Sequence, residues 1–163
     1  MATKDRPVDP RTLPFGTLAL FTGYAVSDAL LLDLKEHGHD GLRFSHGFVF
    51  QHLVEADRTI GELAERMELT QQAASKSVAE LEELGYLERA PDPNDGRIRR
   101  VRLSKKGRAT VDAGRAAQKR LMDRLTRKIG ESRLRAAQET LAEVLESFGA
   151  ADDVRARKVR LPR

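Results

Sequence analysis

The chain has 163 residues, 40% of them hydrophobic and 33% charged, with a net charge of +4 and no cysteine. That length fits one compact domain with helical additions, and the composition suits a soluble globular surface rather than a disordered chain. Disulfides, zinc–thiolate sites and thiol redox switches are excluded, which suits the reducing cytoplasm where we expect the protein to act.

The first dozen residues, with Pro7 and Pro10, read as an irregular lead-in without a secretory pattern. Pro14 suits the first turn of a helix that runs to about Glu36. Its segment from Leu18 to Leu34 is the most apolar of the chain, but Asp28 and Asp33 interrupt it. It is also shorter than the roughly 20 residues a bilayer requires, so we expect no membrane span. A helix apolar around so much of its circumference is expected to be buried on several sides. HGHDG ends it. LRFSHGFVFQHLVEA then predicts a second helix, with Phe44, Phe48 and either Phe50 or His52 turned inward.

RTIGELAERMELTQQAASKSVAELEELG is the most legible stretch. Thr59 and Glu62 have capping-box spacing, in which each side chain satisfies a free backbone N–H at a helix start. Ile60, Leu63, Ala64 and Met67 recur at helical spacing, so a short helix ends near Met67. Glu68 and Leu69 make a turn, Thr70 is the next N-cap, and a helix runs from there to Leu84 with Gly85 as its left-handed stop. Ala74, Val78, Leu81 and Leu84 form its buried stripe. Gln72, Ser75, Lys76 and Ala79 face the other way, and no acid appears there until Glu80, Glu82 and Glu83 in the later turns. A helix that enters a groove tip-first needs this order, because acids at the tip would meet phosphates. Two helices joined by a three-residue turn read as helix-turn-helix.

YLERA and IRRVRLS then predict two short strands, with Val101 and Leu103 inward and Arg100 and Arg102 outward. Asp95-Gly96 between them is a strong hairpin signal, since a tight turn needs positive φ at its centre. From Thr59 to Asp95 there are three basic and nine acidic residues, whereas residues 96–108 hold seven basic ones and no acid. A localised contact with nucleic acid has this asymmetry. Beyond Gly107 the chain is helical again, with Val111, Leu121, Leu125 and Ile129 and then Leu134, Leu141, Leu145 and Phe148 at helical spacings. Residues 151–163 read as a basic, solvated tail.

On the residues TIGELAERMELTQQAASKSVAELEELGYLERAPDPNDGRIRRVRLSKKG, the sequence from about Leu42 to Gly107 resembles the MarR family of bacterial transcriptional regulators. It matches the family's helix, turn, recognition helix, GxLxR and strand ending RLTxxG. The wing pattern D-x-R-D-x-R stands here as Asp92, Pro93, Asn94, Asp95, Gly96 and Arg97, with Asn94 in place of an arginine; Ser104 replaces the usual threonine. The long helix before and the helices after fit the family's dimer interface. The resemblance implies a mainly α fold with a small β-hairpin wing: a winged helix-turn-helix with N- and C-terminal dimerisation helices. It divides the chain into an arm and dimerisation helix (1–40), a DNA-binding lobe (41–108), dimerisation helices (109–150) and the tail (151–163).

Carried over by position, the resemblance makes Arg97 the wing arginine for the minor groove and Asp95 the acid that braces it. Thr70, Gln71, Gln72, Ser75 and Lys76 form the groove-facing tip of the recognition helix, and Arg99 extends the wing contact. The implied function is a homodimeric repressor on a pseudo-palindromic duplex, relieved by a small aromatic or phenolic effector. Tyr24, Phe44, Phe48 and His52 are the candidate effector contacts, although aromatics on buried helix faces are more often simply core.

Other readings are weighed against this one. His37, His39, His46 and His52 lie within sixteen residues, and a metal-responsive regulator would use them. No cysteine supports such a site, and we expect no metal and no cofactor. A nucleoid-type protein without effector control would share the basic wing but bind all sequences alike. No nucleophile–base constellation, phosphate loop or carboxylate pair suggests an enzyme.

Overall fold

The computed structural model describes residues 7–155. A 3₁₀ turn at Pro10–Thr12 precedes α1 (Phe15–Glu36), α2 (His46–Leu53), α3 (Ile60–Arg66) and α4 (Gln71–Glu83). The strands β1 (Leu87–Pro91) and β2 (Arg99–Leu103) follow, and then α5 (Lys105–Ile129), α6 (Glu131–Ser147) and α7 (Ala151–Arg155). The fold is mainly α with one antiparallel hairpin, in register from Leu87 opposite Leu103 to Pro91 opposite Arg99. Arg58 exchanges backbone hydrogen bonds with Val101 at 3.0 and 2.7 Å, which gives the hairpin a one-residue third strand.

Local signals explain the helix boundaries. Thr59 Oγ1 accepts from Glu62 N–H at 3.1 Å while Glu62 Oε2 accepts from Thr59 N–H at 2.7 Å, a complete capping box at the start of α3. Thr59→Ala removes half of it and is expected to cost about 1 kcal/mol in a chemical denaturation curve. An unchanged midpoint would show that α3 is held by packing alone. Thr70 Oγ1 accepts from Ala73 N–H at the start of α4, and Gly85 stops that helix with φ of 78°. The turn between α3 and α4 uses Glu68 at φ 52°, the only non-glycine residue among those described in the left-handed region.

The core lies between α2, α3, α4 and the hairpin. Leu63, Val78 and Leu81 are fully enclosed, with Tyr86, Leu87, Val101 and Leu103 closing the layer from the strand side. Ala74, Val78 and Leu81 form the buried stripe of α4, with Leu84 half-buried beside them.

Two expectations fail here. α2 begins only at His46, and its inward face is His46, Val49, Phe50, His52 and Leu53; Phe44 lies before the helix, 59% exposed, and Phe48 is only half-buried. Phe50 and His52 are buried as the spacing predicts and Phe48 packs partly against the core; Phe44 fails because it precedes the first helical turn. α1 is also not buried on several sides within one chain. Only its Ser27 is buried, and Phe15, Leu18, Leu20, Phe21, Tyr24 and Leu32 are exposed. By length and composition this helix is apolar enough to cross a bilayer. It packs along α5, where Arg120 donates to both carboxylate oxygens of Asp33. Leu141, Leu145 and Phe148 on and after α6 are exposed too. Of the tail, Ala151–Arg155 is helical; the basic residues after Arg155 lie outside the described residues.

Candidate nucleic-acid interface

α4 presents Gln71, Gln72 and Lys76 to solvent on its first turns, with Ser75 half-buried beside them. Thr70 sits at the tip as the cap. Two acids of the later turns are engaged within the chain: Glu80 pairs with Arg43, and Glu82 accepts from Arg89 at 2.9 Å, while Glu83 is exposed. The tip is therefore polar and acid-free, and two of the three glutamates behind it are paired. Lys106 donates to the carbonyl of Leu84 at 2.8 Å, a cation on the C-terminal end of α4 where the helix dipole favours it.

The hairpin connection is not a tight two-residue turn. Seven residues, 92–98, join the strands, and Gly96 does not take positive φ. The loop is organised by carboxylates instead. Asp92 Oδ1 accepts from the backbone N–H of Asn94 at 2.8 Å and of Asp95 at 3.3 Å, and Asp95 Oδ1 accepts from Arg97 N–H at 3.0 Å. Each carboxylate closes a local ring that replaces the strained turn. Asp95 thus braces Arg97 through its backbone, not through its guanidinium.

Asp92 is the central residue of this wing. It is 7% exposed and ion-paired with Arg100, whose guanidinium also donates to Asp57 O at 3.0 Å and to Glu62 Oε2 at 3.2 Å. Arg100 therefore does not point outward as the strand alternation implied. It folds back and ties the wing to the capping box of α3. The arginine bond and the two backbone N–H groups hold the Asp92 carboxyl below the usual carboxylate range. Sequence reading missed this role. The signal was present in Asp92 as the first position of the wing pattern, but which of four wing arginines it would meet is a matter of register.

The seven basic residues of 97–108 now sort into two groups. Arg100 is spent on Asp92, Arg102 pairs with Glu88 at 2.7 Å, Lys106 holds Leu84 O, and Arg108 donates to Leu103 O at 2.6 Å. Arg97, Arg99 and Lys105 are exposed and engage no acid among the described residues. Of these, Arg97 and Arg99 stand at the wing.

A cavity of about 630 Å³ opens between α1, α2 and α5, with Leu30, Leu34, Phe44, Phe48 and Val111 among its walls and Arg43 and Arg115 as its cations. Phe44 and Phe48, two of the four candidate effector contacts, line it. Tyr24 and His52 do not: Tyr24 is 56% exposed on the outer side of α1, and His52 is buried in the lobe. None of the histidines lines it. His37 caps the end of α1 beside Asp33, His39 bonds Thr110 at 2.8 Å, and His46 lies against Glu80. Among the described residues no three potential ligands converge on a metal-like site.

Residues 40–98 match the model of the MarR family. The match spans α2, α3, α4 and β1. Its similarity to solved structures extends over most of its length. The YusO protein of Bacillus subtilis shares 22% identity, covering 80% of this chain and 90% of that one, with a TM-score of 0.63. Wild-type MarR of E. coli in its apo form shares 22%, covering 82% and 97%, with a TM-score of 0.61. A MepR mutant of S. aureus bound to an oligodeoxyribonucleotide shares 16%, covering 83% and 99%, with a TM-score of 0.59. At these identities the likeness establishes a fold: the winged helix-turn-helix of MarR-family transcription regulators, flanked by further helices. A search of curated proteins gives no significant match. In that fold, α4 occupies the recognition-helix position and the β1–β2 hairpin is the wing.

Proposed function

We propose that the protein is a homodimeric, sequence-specific repressor that binds a pseudo-palindromic duplex in the cytoplasm and is released by a small aromatic or phenolic effector. The observation that carries this reading is the pairing of an acid-free α4 tip with a wing whose Arg97 and Arg99 face no intramolecular acid. Gln71, Gln72, Ser75 and Lys76 read base edges in the major groove; Thr70 donates its hydroxyl to a phosphate, and Arg97 and Arg99 serve the minor groove and its phosphates.

Dimerisation is supported by apolar surface that one chain leaves uncovered: Phe15, Phe21 and Tyr24 on α1, and Leu141, Leu145 and Phe148 at the other end. A patch of this kind on a soluble monomer marks an interface. The segments 1–40 and 109–150 would then hold the two lobes (41–108) about one helical turn apart. The cavity beside Phe44 and Phe48 has the size and apolar lining of a small-molecule site.

The experiment is selection of bound sequences from a random duplex pool, followed by titration of the enriched duplex and a scrambled one at matched salt. Enrichment of a two-fold symmetric site by a species that sediments as two chains is the expected result. Equal affinity for both duplexes would favour the nucleoid-type reading, and a clean monomer would remove the dimer.

A further inference from the structure

Arg43 stands where the cavity meets the recognition helix. It is among the residues that line the cavity, and its guanidinium is ion-paired with Glu80 of α4. His46 is buried beneath this pair. Its Nδ1 accepts from Arg43 N–H at 3.2 Å, and its Nε2 lies 3.5 Å from Glu80 Oε2 and 3.3 Å from Arg43 Nε. Burial first, and the Arg43 charge second, hold the histidine pKa below its ordinary value, so the ring is neutral near pH 7. Among the described residues Arg43 is then the one charged partner of Glu80.

The second cation of the cavity differs in what it holds. Arg115 donates to Asp112, three residues away on its own helix, at 3.1 Å. An anion that engages Arg115 disturbs nothing beyond α5. An anion that engages Arg43 competes directly with a carboxylate on α4. A guanidinium binds a carboxylate through two parallel N–H bonds, and a second carboxylate in the cavity is a rival for the same donors.

We propose that the Arg43–Glu80 ion pair transmits occupancy of the cavity to the recognition helix. A small organic anion with an apolar body takes Arg43 from Glu80 and releases α4 from the segment before α2. This rests on the cavity being the effector site. It supplies what that reading lacks, an interaction whose strength differs between the DNA-competent arrangement and the released one. It also sets ligand class, because a neutral isostere fills the apolar volume without drawing Arg43 away.

The test uses salicylate and its neutral counterpart salicylamide. Each is titrated calorimetrically into the full-length wild type, Glu80→Gln, Arg43→Gln and Arg115→Gln, all first shown to keep the wild-type circular dichroism spectrum and melting transition. The wild type is expected to prefer salicylate. Glu80→Gln should bind salicylate about 5-fold tighter or more, since coupling between two sites is reciprocal. Arg43→Gln should lose the preference for the anion, and Arg115→Gln should keep it. On the enriched duplex, salicylate should weaken binding by the wild type and leave Glu80→Gln unaffected. Salicylate affinity that is the same in wild type and Glu80→Gln overturns the proposal, as does no binding of salicylate to any variant at millimolar concentration. Failure of the wild type to enrich any duplex would refute the regulator reading instead, while the calorimetric comparison still decides the ion pair.

Discussion

Arg97→Ala is expected to weaken binding to the enriched and scrambled duplexes alike, and to flatten the slope of log affinity against log salt by about 0.9 for each wing. A dimer places two wings on one site, so the slope should change by about twice that. The reason is geometric. Arg97 is exposed and meets no acid, and its backbone is fixed by Asp95 Oδ1 at 3.0 Å, so its charge is presented and not neutralised. The minor groove distinguishes A·T from G·C only coarsely, which makes the contribution one of affinity and groove shape.

Gln72→Ala should behave in the opposite way, with selective loss of about 1–3 kcal/mol on the enriched duplex and little change in salt slope. The carboxylates separate too. Asp95→Ala removes one backbone bond at the tip, whereas Asp92→Ala removes two backbone bonds and the partner of Arg100, so Asp92→Ala should weaken DNA binding more. A salt series on these four variants decides the matter. An unchanged slope for Arg97→Ala would make the basic stretch a solvated surface.

Gly107→Ala is expected to be the most damaging of the small substitutions, with a loss of about 1–3 kcal/mol or more in the denaturation midpoint. A Cβ at this position would lie 2.1 Å from the carbonyl oxygen of Tyr86, a backbone atom that has nowhere to go. Tyr86 is fully enclosed, its hydroxyl donates to Asp40 O at 2.7 Å, and its ring meets Phe50 edge-on at 6.0 Å. Ser104 fixes the other side: its N–H donates to Tyr86 O at 3.0 Å and its Oγ accepts from Gly107 N–H at 3.0 Å. Relief requires the start of α5 to part from the junction of α4 and β1, which carries the wing. Gly96→Ala is the control. A Cβ there meets nothing within 4 Å, and the residue does not take positive φ, so its effect should stay within about 0.5 kcal/mol. A Gly107 variant as stable as the Gly96 variant would mean that the α5 start shifts freely.

Most of what depends on neighbours within a few residues was legible in the chain itself, apart from the Asp95-Gly96 turn and the start of α2. The capping box of Thr59 and Glu62, the Thr70 cap, the Gly85 stop and the Ala74–Val78–Leu81 stripe follow from helical spacing and backbone hydrogen-bond demand, and all stand in the structure. The strand pair and its inward Val101 and Leu103 follow from two-residue alternation in the same way. Tertiary structure decided what depends on partners far along the chain. Asp92 meets Arg100 and not Arg97 because the seven-residue loop sets the register, and Arg100 then reaches Glu62, 38 residues away. Arg43 meets Glu80 because α2 packs on α4, and α2 begins later than its aromatic pattern suggests. Charge in a sequence shows how many cations exist, but an arginine becomes available to a phosphate only when the fold leaves it without an acid. Here that selection kept Arg97 and Arg99 at the wing and withdrew Arg100 and Arg102.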